Sequence, residues 1–171
     1  NTDPGISCRN MLEALDRHPN LNIILPYPNN DPGSASIINE IENFAKNNTE
    51  RVKLIKSLGA TRYLSALHFA EFSIGNSSSG IVEVASAGIP SIDIGCRQRG
   101  RTAAKSVIHC GNSTDDIDRA INLAISLDFK VMAAKAENPY YKADTLQLMV
   151  DAIMTANPIE LTMKHFYDIK S

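Results

Sequence analysis

A short apolar segment that runs through a serine-rich turn into a helical pattern constrains this chain more than any other feature. The pattern predicts a buried strand at residues 72–74, a turn at residues 76–80 (Asn-Ser-Ser-Ser-Gly) and a helix at residues 81–87. The first N–H groups of a helix lack partners inside it, and the helix dipole adds partial positive charge there. Three serine hydroxyls supply further donors. The turn, here called the serine loop (residues 76–80), is therefore predicted to bind an anion.

A second polar loop follows the next predicted strand. Residues 90–94 form an apolar segment, and residues 95–101, here called the arginine loop, carry three arginines within five positions. The carboxyl ends of neighbouring parallel strands share one sheet edge, which is where ligands of doubly wound sheets bind. Because arginine makes forked contacts with phosphate oxygens, the two loops together predict a site for a phosphorylated ligand.

The rest of the chain alternates between strand-like and helix-like patterns. Further strands are predicted at residues 21–27, 52–55 and 106–109, the first of them covered on both faces. Helices are predicted at residues 8–18, around residues 37–44, at 62–70, after 114, at 127–136 and at 144–156. Thr61 and Thr114 are the predicted N-caps of two of them. The alternation indicates an α/β fold with a parallel, doubly wound sheet in a single domain, residues 1–171.

The composition excludes several classes of partner. A formal net charge of -2 gives no general attraction to nucleic acid or to anionic membranes. The sequence has no apolar run long enough for a membrane span. Three cysteines without CxxC spacing favour free thiols in a reducing compartment, so we expect a cytoplasmic protein. None of the four histidines has a partner at metal-ligand spacing, and we predict neither a metal nor a cofactor.

Four motifs, in this order and spacing, resemble the hydrolysing UDP-N-acetylglucosamine 2-epimerases of sialic acid biosynthesis. They are YPNxDPGS (27–34), GNSSSGIVE (75–83), GIP (88–90) and GxRQxGR (95–101), and the likeness covers residues 22–109. The family has two Rossmann-like domains in the arrangement of the B-type glycosyltransferases (GT-B). This chain resembles only the second, a parallel sheet sandwiched by helices. The resemblance places the family's acidic catalytic residues and catalytic histidine in an amino-terminal half that precedes this chain, so no catalytic residue is expected here.

The resemblance also implies UDP-binding roles for individual residues. Ser77 and Ser78 would bind the diphosphate, Arg97 would pair with the phosphates, and Glu83 would accept the ribose hydroxyls. Asn29 would line the nucleotide pocket from the loop after the first strand. These roles agree with the chemistry of the side chains, since a carboxylate accepts two hydroxyl donors and a guanidinium offers a planar fork of donors.

The implied reaction belongs to the full-length enzyme. It eliminates UDP from UDP-GlcNAc and hydrates the glycal to N-acetylmannosamine, and relatives assemble as homodimers or homotetramers. Two readings remain open beside it. One is half of a non-hydrolysing epimerase or of a UDP-sugar glycosyltransferase, although those epimerases usually carry Asp-Ser-Gly-Gly in the central loop. The other is a nucleotide-sugar-binding or regulatory module without catalysis. Two departures from the family pattern are Cys96 and residues 138–144, which replace a glycine-rich segment.

Overall fold

A computed structural model of the chain describes residues 3–162. These residues form two compact units, which divide after Pro139. The first unit, residues 3–139, contains all five strands and both polar loops. The second, residues 140–162, contains two helices.

All five predicted strands form, and every pairing between them is parallel. The strands are β1 (Ile23–Pro26), β2 (Val52–Ile55), β3 (Ser73–Gly75), β4 (Ser91–Ile94) and β5 (Val107–Cys110). β1 pairs with β2 in one sheet, and β4 lies between β3 and β5 in the other. Side chains from both sheets and from the flanking helices share one hydrophobic core. This arrangement confirms the predicted α/β class.

The helices confirm the predicted alternation, with shifted boundaries. They are α1 (Pro4–Asp16), α2 (Ser34–Asn47), α3 (Gly59–Leu67), α4 (Ser79–Val82), α5 (Thr114–Ile125), α6 (Leu127–Ala133), α7 (Thr145–Thr155) and α8 (Pro158–Thr162). α1 begins four residues earlier than expected because Asp3 caps it: the Asp3 carboxylate accepts from the backbone N–H of Gly5 at 2.9 Å. A proline in the first turn suits this start, since its missing N–H would have had no helical partner.

Both predicted threonine N-caps are wrong. α3 begins after Leu58, and Thr61 lies inside the helix, where its carbonyl accepts the Ser65 hydroxyl at 2.9 Å. α5 is capped by Ser113, whose Oγ accepts from the backbone N–H of Asp116 at 3.1 Å. Where two hydroxyl residues adjoin, as at Ser113 and Thr114, backbone geometry decides which one caps the helix, and the sequence does not display that geometry.

The helix predicted at residues 81–87 is two short pieces. α4 begins two residues earlier than predicted and ends after four residues, and a separate 3-10 helix covers Val84–Ala87. Glu83 joins the two. Gly88 ends the second piece as predicted, with φ of 69°, a left-handed conformation that glycine adopts without steric cost.

Two expectations about buried faces are also wrong. β1 is covered on one face only, because α1 and α2 share a core with Ile23 and Leu25 and leave Ile24 51% exposed. The sequence predicts an inner side of Tyr63, Leu64, Leu67 and His68 for the helix at residues 62–70. On α3, Leu67 is buried as predicted, whereas Leu64 and His68 are exposed. β4 is the fully covered strand of the unit, with all four residues buried.

The second unit contains the predicted carboxyl-terminal helix. α7 spans nearly the predicted range, and the short α8 follows it, where no further helix was expected. None of the α7 side chains is buried. No helix within residues 3–162 combines the length and the apolar character needed to cross a membrane.

Candidate functional site

The serine loop joins β3 to α4 and presents unpaired donors. Ser77 and Ser78 are exposed, and the Ser78 side chain makes no capping hydrogen bond. Within residues 3–162, no hydrogen bond uses the backbone N–H of Ser77 or Ser78 as its donor. The Ser78 carbonyl instead accepts from Ile81 and Val82, at 3.0 and 2.9 Å, which begins the helix. The loop thus offers two main-chain donors and two hydroxyls side by side.

The helix behind these donors is short. α4 has four residues, so few peptide dipoles align behind its first turn. The anion site predicted from a full helix dipole therefore depends instead on local hydrogen-bond donors and on nearby cations. The arginine loop supplies the cations.

The arginine loop leaves the buried strand β4 and returns to solvent. Arg97, Arg99 and Arg101 are all exposed. None of them forms an ion pair with an acidic side chain in the described part of the chain. β3 and β4 are parallel neighbours, with Gly75 opposite Asp93, so the loops that follow them emerge at the same sheet edge. The predicted proximity of the two loops is confirmed.

A buried glutamine joins the two loops directly. Gln98 is 3% exposed, although it lies between exposed arginines, and its Nε2 donates to the Asn76 carbonyl at 2.9 Å. Its Oε1 is buried without a hydrogen-bond partner among the described residues. Sequence reasoning missed this residue, because a glutamine flanked by arginines looks like part of a solvated loop.

Two further side chains hold the elements around the serine loop. The hydroxyls of Tyr63, on α3, and Ser79 hydrogen-bond at 2.5 Å. Asn138 Nδ2 donates to the Val82 carbonyl at 2.8 Å and to Ser86 Oγ at 2.7 Å, which spans the break between α4 and the 3-10 helix. Sequence reasoning missed both contacts. The available signals were the predicted inward position of Tyr63 and the Asn-Pro pair at residues 138–139.

The two remaining predicted site residues, Glu83 and Asn29, are both exposed. Glu83 is exposed at the end of α4, one turn from Ser79. Asn29 is exposed in the loop after β1, on the other sheet. Within residues 3–162, no hydrogen bond joins Asn29 to the serine or arginine loop. The structure thus brings the loops that carry Ser77, Ser78 and Arg97 to one sheet edge, and Asn29 lies in the loop after β1.

An open cleft of about 460 Å³ adjoins the arginine loop at the ends of β4 and β5. Arg99, Arg101 and His109 contribute to its lining. A hydrogen bond to the buried Asp93 orients the His109 ring, since His109 Nδ1 lies 2.8 Å from Asp93 Oδ2. Cys110 also lines the cleft, and burial, with smaller contributions from Asp116 and Asp93, raises its pKa to about 11. This thiol is therefore a weak nucleophile at neutral pH.

Cysteine, histidine and acidic side chains are the candidate metal ligands over residues 3–162. Cys8, Cys96 and Cys110 are free thiols, as predicted. Among the described residues, no group of three or more histidine, cysteine or acidic side chains is placed to hold a metal ion. The chemistry that the serine and arginine loops offer is hydrogen bonding and charge pairing with an anion.

Comparison with known proteins identifies relatives of this chain. The family model described as UDP-N-acetylglucosamine 2-epimerase matches residues 1–154. UDP-N-acetylglucosamine 2-epimerase of Neisseria meningitidis serogroup B is 42% identical over 106 residues, 62% of this chain and 27% of that protein. The GDP/UDP-N,N'-diacetylbacillosamine 2-epimerase (hydrolyzing) of Campylobacter jejuni is 34% identical over 122 residues, 71% of this chain and 31% of that protein.

A third relative and a solved structure extend the comparison. Polysialic acid biosynthesis protein P7 of Escherichia coli is 33% identical over 145 residues, 82% of this chain and 36% of that protein. The crystal structure of UDP-GlcNAc 2-epimerase from Neisseria meningitidis bound to UDP-GlcNAc superimposes with a TM-score of 0.64 at 17% identity, covering 88% of this chain and 41% of that one. This likeness confirms a Rossmann-like fold of the GT-B type.

Each of these relatives is much longer than the segment that it shares with this chain. The matched segments make up 27–36% of the three relatives. The family assignment depends on the match to the family model, which covers most of the 171 residues and includes both polar loops. The chain belongs to the UDP-N-acetylglucosamine 2-epimerase family.

Proposed function

We propose that this chain is the UDP-binding half of a hydrolysing UDP-N-acetylglucosamine 2-epimerase. The observation that carries the proposal is the pairing of the serine and arginine loops on adjacent parallel strands. Exposed hydroxyls, main-chain donors and the exposed guanidinium of Arg97 lie on the two loops at one sheet edge, and the Gln98–Asn76 hydrogen bond links the loops. A diphosphate is the ligand class that such a donor set suits best.

Each site residue has a role that follows from its chemistry. Ser77 and Ser78 donate to the diphosphate from their hydroxyls and main-chain N–H groups, and Arg97 pairs with the phosphate charge. Glu83, one turn along, accepts hydrogen bonds from the ribose hydroxyls. Asn29 lines the nucleotide pocket from the exposed loop after β1.

The same donors favour loss of UDP as a leaving group. Negative charge builds on the β-phosphate as the bond between the sugar C1 and the phosphate oxygen breaks. Donors held in place before the reaction stabilise that charge more than they stabilise the intact nucleotide sugar. We assign no catalytic residue to this chain. In the proposal, proton transfer at the sugar is the work of an amino-terminal half.

The hydrolysing subtype and the pathway belong to the proposal as well. The hydrolysing name of the Campylobacter relative supports the subtype, and the name of the Escherichia coli relative suggests a role in making sialic acid. The full-length protein would then convert UDP-GlcNAc to N-acetylmannosamine and UDP, as a homodimer or homotetramer in the cytoplasm. Residues 1–171 would act in it as one nucleotide-binding domain, without a metal or cofactor.

Calorimetric titration with UDP tests the nucleotide site. Arg97→Ala and Ser78→Ala should each weaken binding by about 1.5–3 kcal/mol, or roughly ten- to a hundredfold in Kd, since each removes a hydrogen bond to a charged group. Arg99→Ala is the matched control, because it removes the same charge from the same exposed loop. Equal losses for Arg97→Ala and Arg99→Ala would mean that the loop attracts anions only through its overall charge.

Product analysis tests the reaction type. The chain is joined to the amino-terminal half that the proposal requires, or mixed with it in trans, and supplied with UDP-GlcNAc. Release of free N-acetylmannosamine supports the hydrolysing reaction, whereas an epimerised sugar still attached to UDP supports the non-hydrolysing one. If UDP does not bind even with both halves present, the chain shares the family's fold without its nucleotide site.

A further inference from the structure

The serine loop has few hydrogen bonds of its own in the described structure. Its first three residues are exposed, the Ser78 side chain caps nothing, and α4 behind it has only four residues. Inside the loop the Ser77 carbonyl accepts from the Gly80 N–H at 3.1 Å, and the Ser77 hydroxyl accepts from the Ser79 N–H at 3.3 Å, a long hydrogen bond. Contacts from neighbouring elements therefore contribute to the position of Asn76, Ser77 and Ser78.

The first such contact comes from Gln98. Its Nε2 donates to the main-chain carbonyl of Asn76 at 2.9 Å, at the start of the loop. The side chain is buried within an otherwise exposed loop, and one of its polar atoms is left without a partner among the described residues. Burying an unpaired polar atom is destabilising. A volume-matched apolar side chain would avoid this cost but would also release Asn76.

The second contact comes from Tyr63, at the other end of the loop. Tyr63 is half-buried on α3, which packs against the 3-10 helix, and its hydroxyl pairs with that of Ser79 at 2.5 Å. Gln98 and Tyr63 thus hold the first and fourth residues of the loop from opposite neighbours. The exposed donors of Ser77 and Ser78 lie between these two fixed points.

We infer that Gln98 and Tyr63 are positioning residues for the diphosphate, which hold the donors of Ser77 and Ser78 in register with Arg97. The inference rests on the proposed UDP site, since it assigns these residues to the geometry of that site. Their hydrogen bonds go to the loop, so they act on the ligand through the loop. Preorganised donors bind more tightly because the loop loses less freedom when the ligand arrives.

The test uses Gln98→Met and Tyr63→Phe, each of which removes hydrogen bonding while nearly conserving volume. UDP titration should give a Kd about five- to tenfold weaker for each variant. The matched controls, Gln147→Met and Tyr141→Phe, make the same chemical changes at exposed positions of the second unit and should leave the Kd unchanged. Tyr63→Phe is the more conservative change and tests the inference even if Gln98→Met folds poorly.

A cycle with Ser78→Ala separates positioning from general stability. If Gln98 acts through the serine loop, Gln98→Met should weaken UDP binding less in the Ser78→Ala background than in the wild type. A purely structural role would lower the melting temperature of both backgrounds equally and leave the Kd of the folded protein unchanged. A wild-type Kd in both single variants overturns the inference.

A ligand-free measurement distinguishes this inference from the proposed function. Backbone ¹⁵N order parameters at residues 76–79 should lie near 0.85 in the wild type and fall below about 0.6 in the Gln98→Met, Tyr63→Phe double variant. If UDP fails to bind the wild type even with an amino-terminal half present, the proposed function fails, and these order parameters still show whether Gln98 and Tyr63 fix the loop. Unchanged order parameters in the double variant contradict the inference.

Discussion

Gly80 is the position where adding a single methyl group tests the packing beneath the serine loop. It lies in α4 against β4, and a Cβ built on it would lie 2.8 Å from Ser91 Oγ. That separation is shorter than side chains tolerate, and Ser91 is 1% exposed. In Gly80→Ala, therefore, either the serine hydroxyl must find another rotamer in a packed interior or α4 must move away from the sheet.

Two opposing effects determine the sign of the change in stability. Alanine favours a helix over glycine by about 0.8–1 kcal/mol, so without the clash the variant would be the more stable protein. Overpacking a filled interior costs about 1–3 kcal/mol. We expect the clash to dominate and the free energy of unfolding to fall by about 1–2 kcal/mol. For a chain of this size the melting temperature should fall by about 2–8 °C.

Urea and thermal unfolding of four proteins measure this balance. They are the wild type, Gly80→Ala, Ser91→Ala and the double variant. Because Ser91→Ala removes the clashing oxygen, the double variant should recover most of the stability lost in Gly80→Ala. If Gly80→Ala is as stable as the wild type or more stable, α4 does not pack against Ser91 as described and the reasoning is refuted.

Further predictions concern capping and thiol chemistry. Ser113→Ala should lower the free energy of unfolding in urea by about 1 kcal/mol, because it removes the N-cap of α5, and Thr114→Ala should lower it less. A larger loss for Thr114→Ala than for Ser113→Ala would mean that Thr114, the N-cap predicted from sequence, caps the helix. Native alkylation at pH 8 followed by mass spectrometry should label the exposed Cys96 well before Cys8 and Cys110. Burial raises the pKa of Cys8 and of Cys110 to about 11, so only about one of these thiols in a thousand is ionised at pH 8. Equal labelling rates at the three cysteines would contradict the burial of Cys8 and Cys110. The same two thiols ionise near 9.0 when unfolded, so the folded chain holds their protons more tightly, and stability should fall as the pH rises from about 9 to 11; replacing both with alanine should flatten that fall.

The strands could be predicted from sequence because their signals are local. Each is a short, mostly apolar segment, and several are bounded by proline, glycine or asparagine, a pattern that predicts a parallel strand whatever its tertiary partners. Helix starts were harder to predict. Asp3 and Ser113 cap their helices through backbone geometry that neighbouring residues such as Thr114 could equally have adopted.

The division of the helix at Glu83 could not be predicted because its support is distant in sequence. Asn138 donates to the Val82 carbonyl and to Ser86, more than fifty residues back along the chain. The composition of residues 79–87 alone fits one continuous helix. A long-range side-chain contact thus stabilises a local irregularity beside the candidate site.

The two loops of the candidate site could be predicted from the sequence, whereas the side chains that hydrogen-bond to the serine loop could not. Ser77, Ser78 and Arg97 stand out because serines after a strand and arginines after the next are unusual. Gln98 and Tyr63 do not stand out, since burial and partner identity appear only once β3, β4 and α3 are assembled. Only the assembled structure distinguishes a buried amide from a solvated one.

Chemical-shift mapping with UDP tests the central claim most directly. Amide resonances of the ¹⁵N-labelled chain are followed as UDP is added, and the site predicts the largest shifts in the serine loop, at Glu83 and in the arginine loop. Saturable shifts confined to other surfaces, with these amides unmoved, would contradict the proposed nucleotide site.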